Sequence, residues 1–248
     1  MIEARHLNKS FDQTAVLEDV SFVIEKGESV AIIGRSGGGK SVLLKHLIGL
    51  LKPDSGQVLI AGQDITPLDE RALTPVRRRF GMLFQGAALF DSMTVAENVA
   101  FAFRRDRTLS EKEIACRVAE ALEVVDLPGT EDKKPSELSG GMRKRVGLAR
   151  AIVYHPEIVL YDEPTTGLDP IVADSIDKLM IRVRDRLHVT TVVVTHDMRS
   201  ARRIGERILM LHQRKLYASG TPDEIFGSKD PVVKQFVEGV SDAVALDF

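Results

Sequence analysis

The sequence predicts an α/β fold: a core on a mixed/parallel sheet, an antiparallel β subdomain and an inserted helical lobe. Three observations predict it. An apolar run ending at Gly34 passes through a glycine-rich loop into "SVLLKHLIGLL", whose apolar residues have helical spacing. Farther on, two β-rich runs, "EIVLYDE" and "TTVVVTH", flank a helix, the order of a parallel strand-helix-strand unit. Ahead of both runs, residues 86–157 carry helical periodicity instead of strand alternation.

Taken in order, residues 2–33 read as short strands, "VSFVI" and "SVAII", separated by "EKGE", whose Gly27 suits a turn. The helix after the glycine loop stops at Lys52-Pro53-Asp54-Ser55-Gly56, and "GQVLIAG" then reads as another strand and turn. In the helical lobe, Ser110 and Glu113 form a capping box, and Ile114, Val118, Ala121, Leu122 and Val125 recur at helical spacing until Pro128-Gly129. The helix between the two β-rich runs carries Val172, Ile176, Leu179, Met180, Val183 and Leu187 on one stripe. In the tail, Thr221-Pro222-Asp223-Glu224 is a second capping box, and Asp230-Pro231 opens a helix with Val233, Phe236, Val237 and Val240 apolar. That last stripe reads either as intramolecular packing or as a contact with a partner. No fixed-period repeat is present. The expected organisation is one domain over 1–248, with a core from 1–85 and 158–220, a helical lobe at 86–157 and a helical tail at 221–248.

Composition narrows the function classes. With 44% hydrophobic residues the chain has material for a substantial core, and 28% charged residues suit an ordinary hydrated surface. A net charge of -2 gives no sequence-wide basic field, which argues against nucleic acid as a partner. The single Cys116 excludes an intrachain disulfide and fits a reducing compartment. Glu3, Arg5 and Lys9 fall where an export signal needs an apolar centre, and no apolar run approaches the ~20 residues of a membrane span. The expectation is therefore a cytoplasmic chain that reaches a membrane only through another subunit.

Gly34-Arg35-Ser36-Gly37-Gly38-Gly39-Lys40-Ser41 matches the P-loop pattern and marks the core as a P-loop NTPase. Glycines let backbone N–H groups converge on an anion, and the following helix adds its positive end. Lys40 is placed for the β- and γ-phosphates and the Ser41 hydroxyl for Mg²⁺. A second acidic site lies in "IVLYDEP": a buried strand delivers Asp162 to the Mg²⁺ shell, and Glu163 follows where a general base polarises water. His196 ends the neighbouring strand, either as a structural hydrogen-bonder or as a sensor of the γ-phosphate. Ser139-Gly140-Gly141, before an apolar-periodic helix, makes a second anion-binding helix terminus.

Together with Gly34–Ser41, "IVLYDEP", "TGLDP" and His196, the stretch "ELSGGMRKRVGLARAI" resembles the signature of ATP-binding-cassette ATPases, in matching order over nearly the whole chain. The resemblance implies ATP as ligand and a head-to-tail pair of copies, in which ATP on one P-loop is completed by Ser139, Gly140 and Gly141 of the other. It also implies that Gln85 in "MLFQGAALF" contacts Mg²⁺ and water, that Asp169 lies in a loop communicating across the dimer, and that Phe11 stacks on adenine. An integral membrane permease is the implied partner. Met142, standing where most members have glutamine, together with "GRSGGGKSVLLKHLIGLLKPDSG" and "VVKQFVEG", resembles the ATPases of Mla/MCE-type lipid transporters. That narrower likeness implies phospholipid as cargo and a periplasmic MCE-type lipid-binding subunit as a further partner. The run Arg143-Lys144-Arg145 reads either as a solvated helix face or as cations reinforcing the pull on the opposite phosphate.

The same core motifs serve transporters of amino acids, peptides or metals, the main competing reading. A P-loop kinase leaves the Ser139 helix and the Glu163/His196 pair without a task. A non-transport cassette acting on DNA or ribosomes lacks its usual coiled coil, zinc cysteines or second cassette here.

Overall fold

The computed structural model describes residues 1–105 and 109–240. The chain forms two compact units, the first made of Met1–Ile24, Ser29–Thr66 and the chain from Val193 onward, the second of Glu25–Glu28 and Pro67–Val192.

In the first unit, strands β1 (Ile2–Phe11) and β2 (Thr14–Ile24) form a long antiparallel hairpin with Ile2 opposite Ile24 and Phe11 opposite Thr14. The sequence pattern suggests shorter strands here. Its turn escapes recognition because Asp12 and Gln13, at φ 46° and 65°, take left-handed positions usually marked by glycine or asparagine. Strand β3 (Ser29–Gly34) is buried at every residue, the mark of a strand covered on both faces. Helix α1 (Lys40–Leu47) follows the glycine loop. Strand β4 (Ser55–Ile60) lies antiparallel to β1, and the two-residue β5 (Gln63–Asp64) extends that sheet in the order β2-β1-β4-β5, so the antiparallel subdomain is as expected.

In the second unit, α2 (Glu70–Arg77), capped by Asp69, leads to β6 (Phe80–Leu83). Both escape the sequence pattern because α2 contains Pro75 and β6 is only four residues long. Helices α3 (Val95–Val99), α4 (Glu111–Val124) and α5 (Gly140–Ile152) form the expected helical stretch, and Ser110 and Glu113 make both bonds of the expected capping box. Strand β7 (Ile158–Asp162) runs parallel to β6, with Phe80 opposite Ile158 and Leu83 opposite Tyr161. Helix α6 (Pro170–Leu187) buries Ile176, Leu179, Met180 and Val183 of the expected stripe. Strand β8 (Thr190–Val194) carries the boundary between the units along the chain.

The first unit resumes with α7 (Met198–Ile204), β9 (Arg207–His212) parallel to β3, and β10 (Lys215–Gly220) antiparallel to β9. Helices α8 (Pro222–Phe226) and α9 (Pro231–Glu238) begin at the expected caps, Thr221 and Asp230. Val233 is buried in a core of Ala31, Ile33, Ala201, Ile208, Met210 and Ile225, and Phe236 and Val237 pack against it. The tail stripe is thus intramolecular packing, with Val240 exposed at its end. Residues 241–248 of the expected tail lie outside the described residues. No described helix is long and apolar enough to cross a membrane.

Candidate functional site

The candidate residues fall in both units, and each unit builds its own part. In the first, buried β3 delivers the chain into the glycine loop. Gly39 has φ 88°, and a Cβ built there would lie 2.8 Å from the Val16 carbonyl oxygen, so both conformation and space demand glycine. No side chain caps α1 and no acidic residue occupies its first turn, which leaves the positive end of the helix uncancelled. Lys40 is 5% exposed, and its ammonium donates to the carbonyl oxygens of Gly34 at 2.9 Å and Arg35 at 3.0 Å. The loop therefore holds its own cation in place. Arg35, Ser36 and Gly37 are exposed, Gly38 and Ser41 half-buried.

The Thr195 N–H donates to the Ile32 carbonyl oxygen at 3.2 Å, setting His196 beside the end of β3. His196 is exposed, and Asp197 next to it caps α7 by accepting from the Arg199 and Ser200 N–H groups. Phe11, at the end of β1, is 42% exposed, with the Lys9 ammonium 5.3 Å from its ring centre. It is a surface aromatic, as a stacking platform must be, and not a core residue.

In the second unit, β7 ends with Asp162 and Glu163, 8% and 9% exposed. Glu163 has φ 48°, a left-handed conformation rare outside glycine and often found at functional sites. Its carboxylate accepts from Thr166 Oγ1 at 3.2 Å. Gln85 is exposed, two residues past β6. Ser139 caps α5 by accepting from the Met142 N–H at 3.3 Å, and the first turn again holds no acidic residue. A Cβ on Gly140 would lie 3.4 Å from Leu168 Cδ2, and one on Gly141 2.6 Å from Val172 Cγ1. The Ser139 turn therefore sits against the start of α6, where Asp169 accepts from the Ile171 and Val172 N–H groups at 3.0 Å each.

The Arg143-Lys144-Arg145 run is not a solvated face. Lys144 is 5% exposed, and its ammonium donates to the carbonyl oxygens of Gln85 and Glu163. Arg145 reaches the Val125 carbonyl, Asp126 and Ser175 at 2.7–2.8 Å. Only Arg143 is exposed, and it donates to the Leu138 carbonyl at 2.8 Å. Arg150 donates to the carbonyls of Ala87 and Ala88, both at 2.6 Å. Sequence reasoning missed Arg150, and it placed Lys144 in a charged run without finding its burial against the Gln85 and Glu163 carbonyls. Lys144 shares a helical face with buried Gly147, Leu148 and Ala151, and that spacing was the available signal.

Comparison with known proteins decides the family. The family model described as ABC transporter matches residues 17–166, more than half of the chain. The chain belongs to the ABC transporter family. Among its relatives, the probable ribonucleotide transport ATP-binding protein mkl of Mycobacterium leprae is 43% identical over 238 residues, 96% of this chain and 69% of that protein. The intermembrane phospholipid transport system ATP-binding protein MlaF of Haemophilus influenzae is 40% identical over 242 residues, 98% of this chain and 92% of that protein. Among solved structures, a dimeric post-hydrolysis state of an ATP-binding cassette bound to ADP and Pi aligns with TM-score 0.82 and 34% identity, covering 90% of this chain and 99% of that one. The ABC transporter chain described above is accordingly an ATP-binding subunit with the P-loop NTPase fold of cassette ATPases, as expected. Its family does not fix its cargo, since the two relatives carry the names of different transport systems.

Proposed function

We propose that this chain hydrolyses ATP to drive a membrane permease that moves phospholipids between membranes. The observation that carries the ATPase reading is the Gly34–Ser41 loop, where buried Lys40 lies on the loop carbonyls at a helix end that no side chain caps. The cargo reading rests on the likeness to MlaF, which extends over nearly the full length of both chains.

In this reading the loop N–H groups and Lys40 hold the β- and γ-phosphates. Among the described residues no group of three or more His, Cys, Asp or Glu forms a protein-only metal cage. Ser41, Gln85 and Asp162 supply instead a hydroxyl, an amide and a carboxylate, hard donors that fit a Mg²⁺ retaining phosphate and water oxygens. When bound, Mg²⁺ would neutralise charge on the phosphates. Glu163 accepts a proton from the attacking water, whose oxygen forms a bond to the γ-phosphorus as the bond to the β,γ-bridging oxygen breaks, leaving ADP and phosphate. His196 holds the γ-phosphate, and Phe11 stacks on the adenine.

A second copy, arranged head to tail, would present Ser139, Gly140 and Gly141 to that phosphate, with Asp169 beside the shared boundary. Residues 86–157 act as the lobe that moves with nucleotide, around a core of 1–85 and 158–220, and 221–248 as the tail. The permease holds the pair at the inner face of the cytoplasmic membrane, and an MCE-type subunit carries lipid beyond it.

The test is purification of the tagged chain from detergent-solubilised native membranes, with bound proteins and lipids identified by mass spectrometry. A permease, a periplasmic lipid-binding subunit and phospholipid support the proposal. A subunit binding nucleotides, amino acids or metals instead favours the second reading, transport of another cargo, which the likeness to mkl motivates. Recovery with ribosomes or DNA overturns both.

A further inference from the structure

Lys144 is a buried cation, and among the described residues no carboxylate is bonded to it. Lysine is almost never buried this far unless paired, because removing an ammonium from water is costly. Its acceptors are two main-chain carbonyls, those of Gln85 and of Glu163, the latter at 3.4 Å. An ammonium has three donors and no acceptor, so one side chain can serve both segments at once. Burial pulls its pKa down, while Asp162 and Glu163 oppose that shift.

Both held segments have unusual main chains. Glu163 is left-handed at φ 48°, and in the Gln85 loop Ala87 and Ala88 are left-handed at 60° and 50°. Such conformations persist only where surrounding contacts enforce them. Arg150, on the same helix, donates to the Ala87 and Ala88 carbonyls, so α5 grips the Gln85 loop at three of its carbonyls. The same helix opens at Ser139.

We propose that Lys144 is a positioning residue for ATP hydrolysis, its ammonium locking the Gln85 loop and the main chain of Glu163 in register with the Ser139 turn. This rests on the ATPase reading above. Phosphoryl transfer depends mainly on placement and preorganised charge, and the main chain of Glu163 decides where its carboxylate points. A displacement of α5 would carry all three segments with it.

The experiment compares Lys144→Met, Lys144→Gln and Lys144→Arg with the unaltered chain, each together with the membrane partner it purifies with. It measures kcat and KM for ATP, equilibrium affinity for MgATP, and thermal midpoint. In Lys144→Met, kcat falls about 10- to 100-fold, the scale of a misplaced reacting group, while MgATP affinity and thermal midpoint hold. Lys144→Arg, which keeps the charge and adds a forked donor set, recovers most of the rate. Lys144→Gln, a neutral donor of shorter reach, falls between, and it carries the test if Lys144→Met does not fold. Unchanged kcat in Lys144→Met, or in Lys144→Gln where that variant stands in, overturns the proposal. So does a loss of rate that tracks a lowered thermal midpoint in every variant with no rescue by arginine. Absence of ATP turnover in the unaltered complex overturns the ATPase reading itself.

Discussion

Gly141 and Val172 approach so closely that a Cβ added to the glycine would lie 2.6 Å from Val172 Cγ1. Real Cβ contacts are essentially never that short, so Gly141→Ala must displace the Val172 side chain, whose χ1 is stiff in a helix, or else the Ser139 turn or the start of α6. A shift on the order of 1 Å at a positioning element costs up to ~10²-fold in rate. The expected outcome is a large fall in steady-state ATPase with MgATP affinity retained, measured by nucleotide titration beside the turnover assay. Native turnover in Gly141→Ala would show that this close approach has no catalytic consequence.

Ser139 can be separated into its two roles. Ser139→Ala removes the cap on the Met142 N–H and should cost about 1 kcal/mol of stability. Ser139→Asp keeps a capping oxygen but sets a carboxylate where a phosphate is proposed to bind, so stability survives and turnover does not. Thermal melts and ATPase assays on both variants check the pair. A fully active Ser139→Asp removes the anion-binding role.

Lys40→Ala deletes the cation that lies on the Gly34 and Arg35 carbonyls. Hydrogen bonds to charged groups contribute roughly 1.5–3 kcal/mol, so MgATP affinity should weaken by roughly 10- to 150-fold. Calorimetric titration reads this directly. Retained affinity counts against the phosphate loop.

Glu163→Gln preserves an oxygen to accept from Thr166 Oγ1 while removing the base. Turnover should drop by about 10²- to 10⁴-fold, the usual contribution of a general base, with ATP still bound and a dimer accumulating. Size-exclusion chromatography with ATP and a phosphate-release assay give the two readouts. Undiminished phosphate release assigns the base elsewhere.

Arg79 holds Glu157 through two bonds, at 2.8 and 3.0 Å, and its guanidinium lowers the Glu157 pKa below the ordinary carboxylate range. Because the folded value is the lower one, the unfolded chain takes up a proton first as pH falls. The pair's contribution is complete above the unfolded value of about 4.3 and is lost as pH drops through the folded value. Both side chains are partly exposed, so no more than about 1 kcal/mol is at stake. The thermal midpoints of native protein and Glu157→Gln should differ at neutral pH and converge in acid. A constant difference across that range would rule out the linkage.

The local sequence was enough to determine four of the helix caps, the glycine loop and the alternation of β-rich runs with helical stretches. Ser110, Ser139, Thr221 and Asp230 all cap as their spacing implies, because a cap is a contact between residues two or three apart and needs no distant partner. Only the tertiary structure decided what the basic run on α5 does. Whether Lys144 meets water or the carbonyls of Gln85 and Glu163 depends on segments 59 and 19 residues away, and only packing brings these together. The same holds for the tail, where Val233 finds Ile33 across most of the chain, and Met210 beside it, because β3 and β9 lie side by side. Short-range geometry is written into neighbouring residue types, whereas burial of a charge or a stripe is a property of the whole folded unit.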